Sequence, residues 1–320
     1  IGLGIIMGWT YLKEALGPTV NGIFSILQGR SQFFENEASS KAQAQVLDTA
    51  GVLGKAALLV TPTSYNNGKL NAVLPSGSPF GDFTKAGGGG ATRINSSGEV
   101  EAMSSTSPRI DYEDASTGVL CEYQTTNYIK YSEAMFSAAG SPWTSSGVGS
   151  GDVLMTLPDG SVANVRNNYA YGNPAKLSQT ISAVVNKGVG ASVWAYNPET
   201  TAHDLIIDVI GYTGTASTVS LPPGVWTRVK FVTPATTSSH YTGIDFTLAS
   251  GKNTRLWGAQ LEPSQFLRRE GVVTSYIPTT ATAVTRLGEL LVGPVTTGQI
   301  NPEEGVFLFE GKMTNSGTNE

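Results

Sequence analysis

Short stretches of alternating apolar and polar residues follow one another between residues 152 and 261. In 244–248, Ile244, Phe246 and Leu248 share one face, while Asp245 and Thr247 share the other. Period-two alternation bounded by turn residues predicts half-buried antiparallel strands, and many in succession predict a sandwich or barrel. The predicted strands are 177–185, 191–196, 205–212, 227–232, 244–248 and 256–261.

The N-terminal part has a different period. Apolar residues recur there at three- and four-residue steps, and Thr19 can cap the segment, so we predict an α-helical region within residues 1–60. It packs either on its own domain or against copies of itself around an axis. The residues predicted to serve attachment or oligomerisation are Val20, Phe24, Leu27 and Phe34.

Pro and Gly divide the rest of the chain. Pro62, Pro75, Pro79 and the glycine run 87–90 predict a linker over residues 61–90. Residues 91–135 are predicted as short β-hairpin segments, and 136–286 as an antiparallel β-sandwich. Residues 287–320 are predicted to open a further, truncated β domain.

Composition narrows the function classes. Charged residues make up only 14% of the 320 residues, and the net charge is −5, which excludes a general nucleic-acid binder. The apolar start, 1–9, is shorter than the roughly 20 residues of a membrane span. Cys121 is the single cysteine, so no intramolecular disulfide forms. The chain is expected to be a scaffold or binding module that needs no cofactor and is not an enzyme.

Several strings resemble a recurring module of bacteriophage fibre (head or tail fibre) proteins. They are ATRINSSGEVEA (91–102), PRIDY (108–112), GVLCEYQTTNYIKYSEAM (118–135), LWGAQLE (256–262), TSYIPT (274–279) and VTR (284–286). The resemblance implies a jelly roll similar to carbohydrate-binding modules, carried on a homotrimeric fibre of the virion. It further implies attachment to capsid or tail proteins, and a laminin-G-like domain that begins near 301–312.

Aromatic residues are the leading candidates for a ligand site. Sugar rings stack on exposed indoles and phenols, and Trp194 and Tyr196 share one face of a predicted strand. Tyr169 and Tyr171 lie in a predicted loop rich in Asn and form a second candidate pair. The alternative is that these rings belong to the core, where large aromatics are common. Trp226 and Trp257 are expected there.

Acidic residues offer a weaker candidate. Asp111, Glu113 and Asp114 form the densest cluster and either bind a structural calcium ion or form a solvated turn. No nucleophile elbow or pair of glycosidase carboxylates is recognisable.

The chain is therefore interpreted as a structural virion protein, a trimeric fibre subunit whose sandwich binds host-surface glycans. One alternative is the substrate-binding portion of a polysaccharide depolymerase, and another is a spacer without ligand.

Overall fold

The computed structural model describes residues 59–66, 69–74, 82–87, 89–113, 118–136, 141–185, 187–235, 240–264, 271 and 273–292. Regular structure in these ranges is entirely β, which confirms the mainly-β prediction. Nearly all of the predicted helical region, residues 1–58, lies outside the described residues. Its last two residues, Leu59 and Val60, begin a strand. Val20, Phe24, Leu27, Phe34 and Asp114 also lie outside the described residues. Within the described ranges, no helix is long and apolar enough to cross a membrane.

The strands are numbered in chain order. They are β1 (Leu59–Asn66), β2 (Lys69–Leu74), β3 (Asp82–Gly87), β4 (Thr92–Ile94), β5 (Val100–Ala102), β6 (Arg109–Asp111), β7 (Gly118–Leu120), β8 (Thr125–Asn127), β9 (Trp143–Ser146), β10 (Val148–Thr156), β11 (Val162–Ala170), β12 (Ala175–Val185), β13 (Val189–Tyr196), β14 (His203–Ile210), β15 (Ser217–Leu221), β16 (Trp226–Val232), β17 (His240–Leu248), β18 (Asn253–Pro263), β19 (Val284–Arg286) and β20 (Glu289–Val292).

Two five-stranded antiparallel sheets form a sandwich. The first has the order β10-β11-β18-β13-β16 and the second the order β15-β14-β17-β12-β9. The chain passes repeatedly from one sheet to the other, as it does in a jelly roll. Trp143, Leu177, Ile207 and Phe246 are among the buried residues of the core between them. Burying each such side chain contributes about 1.5–3 kcal/mol.

Strands also occupy the predicted linker, which corrects that prediction. β1 and β2 form an antiparallel pair in which Asn66 lies opposite Lys69, so the Asn67-Gly68 dipeptide falls between the paired ends. Pro62 is compatible with β1 because β1 is an edge strand, where a missing backbone N–H is tolerated. The density of Pro and Gly in 61–90 hid these short strands from the sequence analysis.

The start of the predicted further domain also returns to this sheet. β20 pairs with β3, with Leu290 opposite Ala86, and completes the order β1-β2-β3-β20. The chain on either side of the sandwich therefore meets in one four-stranded sheet. Residues 293–320, where the laminin-G-like domain was expected, lie outside the described residues.

A buried ion network connects this sheet to the short β6–β7 and β8–β19 pairs that precede and follow the sandwich. Arg109 Nη2 lies 2.8 Å from Glu122 Oε2 and also pairs with Glu289 of β20. Lys85 Nζ lies 3.0 Å from Glu289 Oε1, and Arg286 pairs with Glu122. Burial disfavours ionisation of Glu122, but Arg286 and Arg109 outweigh it and hold its pKa below the ordinary value. Arg109, Glu122 and Arg286 all come from the strings that carry the fibre resemblance.

Candidate functional site

Part of the outer face of the first sandwich sheet is covered by other segments of the chain. Trp194, Trp257 and Tyr276 pack together there, with Trp194 ring centroids 5.5 Å from Trp257 and 5.3 Å from Tyr276. The Arg228 guanidinium lies 4.6 Å from the centre of the Trp194 ring. Val100 of the β4–β5 hairpin closes the same cluster. No flat aromatic surface is left free here.

This packing changes the interpretation of Trp194. Its side chain is on the same strand face as Tyr196, as the alternation predicts, but it is only 5% exposed. Tyr276 covers it from a segment about eighty residues further along the chain. Alternation identifies the face of a strand and cannot reveal such a cover. Trp257 is 2% exposed, which confirms its expected place in a core.

The other part of the same face is open and carries one residue from each of the five strands. Register places Gly151, Asn167, Arg255, Tyr196 and Trp226 side by side on β10, β11, β18, β13 and β16. We call these five residues the open row. Neighbouring strands lie about 4.8 Å apart, so the row extends roughly 19 Å across the sheet, the width of several sugar rings.

Contacts along the open row hold its side chains in place. Arg255 Nε donates to Asn167 Oδ1 at 3.3 Å, and its guanidinium lies 5.2 Å from the centre of the Tyr196 ring. Tyr196 in turn packs on Trp226, with ring centroids 5.4 Å apart at an interplanar angle of 54°. Trp226 Nε1 donates to the Thr156 carbonyl oxygen at 3.0 Å. Trp226 is partly buried and borders the open surface.

A second, shorter row lies beside the first. Asn253 is paired with Tyr169, whose side chain is 45% exposed, and Asn253 Oδ1 accepts from Asn167 Nδ2 at 2.8 Å. Glu199 Oε1 accepts from the backbone N of Asn253 at 2.9 Å and from its Nδ2 at 3.0 Å. These hydrogen bonds from Asn253 lower the pKa of Glu199, so its carboxylate is ionised at neutral pH.

Tyr171 adjoins the same edge. It is 67% exposed, and a Cβ atom on Gly149 would lie 3.7 Å from its ring. The structure thus brings Tyr169, Tyr171 and Tyr196 to one region of the sheet, whereas the sequence analysis had treated them as two separate candidates. That they bind a ligand stays a prediction.

The sequence analysis missed three polar residues that complete this surface, namely Glu199, Asn253 and Arg255, whereas Asn167 belongs to the Asn-rich stretch already noted around Tyr169. They come from separate strands and loops, and only strand register brings them together. Counting alternate positions along β18 would have placed Asn253 and Arg255 on one face. That pattern does not show which strands lie next to β18.

The acidic candidates have partners already. Asp111 Oδ1 accepts from the backbone N of Ile94 at 2.8 Å, which fixes the β4 turn. Glu113 Oε1 lies 3.0 Å from Arg228 Nη1 and 2.7 Å from Lys230 Nζ. Within the described ranges no group of three His, Cys, Asp or Glu side chains is arranged to hold a metal ion. Asp111 therefore holds β4 and β6 together, and Glu113 joins its segment to β16 of the sandwich. Asp114 lies outside the described residues, and calcium binding by this cluster stays a prediction.

No family model matches the chain, and no curated protein matches it. Solved structures similar to it include the carbohydrate-binding and catalytic modules of Clostridium thermocellum endo-1,4-β-D-xylanase 10B in complex with xylohexaose. The identity is 11%, the TM-score 0.33, and the overlap covers 45% of this chain and 29% of that one.

Another similar structure is the enzymatically active domain of tailspike protein 4 from bacteriophage CBA120, with 14% identity, TM-score 0.32, and coverage of 43% and 21%. A third is a xylan-binding domain from Paenibacillus barcinonensis, with 10% identity, TM-score 0.30, and coverage of 43% and 92%. The chain spans less than a third of the length of the first two proteins. Similarities at this level carry no inference about what this chain binds.

Proposed function

We propose that the sandwich is a carbohydrate-binding module whose ligand lies along the open row. The observation that carries this proposal is the surface on which the partly exposed Tyr196 and Trp226 and the exposed Tyr169 lie beside amide and charged side chains. Aromatic faces pack against the apolar C–H faces of sugars, and Asn, Arg and carboxylate groups hydrogen-bond to hydroxyls. These polar groups are already held by one another, so little side-chain entropy is lost on binding.

The way the open row ends at the sheet edge favours an extended polysaccharide over a single sugar as the ligand. Gly151 occupies the edge strand β10, and a Cβ atom there would meet nothing within 4 Å. Gly149 stands two residues away on the same face. The surface therefore runs out to the edge of the sheet without a wall, and a polymer can continue past it.

Glycan binding is tested by obstructing the open row without unfolding the sheet. Gly151→Phe places a ring in the free space at that position and is expected to abolish binding on a glycan array. Gly118→Phe is the matched control, because Gly118 also lies in a strand with nothing within 4 Å of a Cβ atom. Equal binding by both variants and the parent chain would exclude the open row, and no binding by the parent chain would favour the ligand-free spacer.

The fibre role is the second part of the proposal: the chain is a structural subunit of a trimeric virion fibre and has no enzymatic activity. The strings shared with phage fibre proteins support it. Among the described residues β20 is an edge strand on which Leu290 and Val292 are 65% and 43% exposed, and an apolar edge of this kind is a surface that assembly can cover.

Analytical ultracentrifugation of the 320-residue chain tests the assembly, with three times the 33.5 kDa chain mass expected. A monomer at micromolar concentration would contradict the trimer. Incubation with each polysaccharide bound on the array tests the depolymerase alternative, and shortened chains would favour it.

A further inference from the structure

Arg255 differs from the other arginines in the part of the chain that the structure describes. Five of those six arginines pair with a carboxylate, namely Arg93, Arg109, Arg166, Arg228 and Arg286. Arg255 instead contacts Asn167 Oδ1, the Met155 sulfur at 3.4 Å and the Tyr196 ring, all of them uncharged. Its positive charge has no ionic partner among the described residues.

Arg228 provides a comparison on the same face of the same sheet. Each of the two guanidiniums lies over an aromatic ring of β13, Arg228 over Trp194 and Arg255 over Tyr196. Arg228 is neutralised by Glu113 at 3.0 Å and donates to the Thr274 carbonyl oxygen at 2.7 Å. Arg228 thus has an ionic partner in the covered part of the face, whereas the one charged residue of the open row has none among the described residues.

Glu199, an acidic group beside the second row, does not pair with Arg255. Glu199 uses Oε1 to accept both hydrogen bonds from Asn253, and no ion pair joins Glu199 to Arg255. Arg255 Nη2 makes no hydrogen bond within the described ranges, so one side of the guanidinium remains available to a ligand. Met155 and Asn167 hold the rest of the group in a fixed orientation.

From this arrangement we infer that the open row selects an acidic glycan, with Arg255 pairing with an anionic group on the sugar, either a carboxylate or a sulfate ester. The inference rests on the glycan-binding function proposed above and specifies the class of ligand. A planar guanidinium matches the two oxygens of such a group and forms charge-assisted hydrogen bonds with it. The adjacent Tyr196 and Trp226 rings supply the stacking surface, so charge and ring recognition occur at neighbouring points.

The alternative is that Arg255 only orients Tyr196, or hydrogen-bonds to hydroxyls of a neutral sugar. Arg255→Gln separates these possibilities because it removes the charge and keeps a hydrogen-bond donor. Arg166→Gln is the matched control: Arg166 lies on the opposite face of β11 and pairs with Asp152 at 3.2 Å, so it removes the same charge away from the open row.

The experiment measures binding of the 320-residue chain to an array of uronic-acid, sialylated and sulfated glycans. Each glycan is printed beside its carboxyl-reduced or desulfated counterpart, and neutral polysaccharides are included. We expect acidic glycans to bind, with loss of tenfold or more on removing the anionic group or on Arg255→Gln, on the order of one charge-assisted hydrogen bond. Arg166→Gln is expected to change affinity by less than about twofold. Loss of binding on carboxyl reduction identifies the anionic group as a carboxylate, and loss on desulfation identifies it as a sulfate ester.

Two other outcomes are distinguishable. If neutral glycans bind, or acidic ones bind unchanged after losing their anionic group, and Gly151→Phe still abolishes binding, the acidic-glycan inference is wrong while the glycan-binding function stands. If Gly151→Phe leaves every interaction unchanged, the open row is not the site and both proposals fail together.

Discussion

Glu122→Gln tests whether the buried ion network stabilises the fold where the four-stranded sheet meets the short β6–β7 and β8–β19 pairs. The substitution keeps the shape of the side chain and removes its charge. Glu122 Oε2 lies 2.8 Å from Arg109 Nη2, accepts from Ser275 Oγ at 2.6 Å and pairs with Arg286. All of these groups lie in the buried interior. An amide in place of the carboxylate therefore faces two guanidiniums that have no access to water.

The expected loss follows from what each arginine retains. Arg109 keeps Glu289, but Arg286 pairs with no other carboxylate in the described part of the chain. Removing one partner of a buried ion pair costs about 3–5 kcal/mol, because the remaining charge stays buried without compensation. For a chain of this size, 1 kcal/mol corresponds to about 2–4 °C in Tm, so a decrease of about 6–20 °C is expected.

Urea unfolding followed by tryptophan fluorescence measures the change in the free energy of unfolding. Glu101→Gln is the control, because its pair with Arg93 at 2.8 Å involves a carboxylate side chain that is 43% exposed, and such surface pairs contribute at most about 1 kcal/mol. A Glu122→Gln variant as stable as Glu101→Gln would show that the network does not stabilise the fold.

The pH dependence of the same variant gives an independent check. Burial opposes the ionisation of Glu122, but Arg286 and Arg109 lower its pKa in the folded chain. The stabilisation is therefore fully present above the ordinary pKa of Glu and is lost as the pH falls through the lower folded value. We expect the parent chain and Glu122→Gln to converge in stability in acid. A difference that stays constant with pH would mean that the charge of Glu122 is not its cause.

Two further predictions concern the outer face of the first sheet. Trp194→Ala is expected to lower the free energy of unfolding by about 3–5 kcal/mol in urea titrations, because it empties the space between Trp257, Tyr276 and Arg228; a loss below about 1 kcal/mol would contradict the covered packing. Glu262→Gln is expected to gain stability relative to the parent chain as the pH rises above the ordinary pKa of Glu, since burial raises the pKa of Glu262 and its ionisation in the folded chain costs stability; parallel pH profiles in urea unfolding would refute this.

The sequence predicted which face of a strand each residue occupies better than it predicted which distant segments pack against that face. Alternation in 244–248 correctly separated buried Ile244, Phe246 and Leu248 from Asp245 and Thr247. The same reasoning placed Trp194 and Tyr196 on one face, yet only Tyr276, from a distant segment, decides that Trp194 is covered. Long-range pairs carry no local signal.

The same limit applies to the acidic residues and the linker. The cationic partners of Glu113, Arg228 and Lys230, lie more than a hundred residues away, so the sequence showed the acidic cluster without them. The short strands β1 to β3 were hidden because Pro and Gly dominate the local signal, although Pro62 is compatible with an edge strand.

The strings that resemble fibre proteins and the open row share no residue. Arg109, Glu122 and Arg286 of those strings build the ion network, and Trp257 and Tyr276 build the covered cluster. Residues 151, 167, 196, 226 and 255, by contrast, all lie outside the strings. Residues inside the strings are held by long-range buried contacts, so substituting them alters stability.

Residues of the open row contact one another and their neighbours Met155, Thr156 and Asn253. The strings therefore account for buried contacts around the sandwich, and they leave its ligand unspecified. We propose that ligand class depends on the open row, and Arg255, its one charged residue, is the position at which specificity is expected to change first.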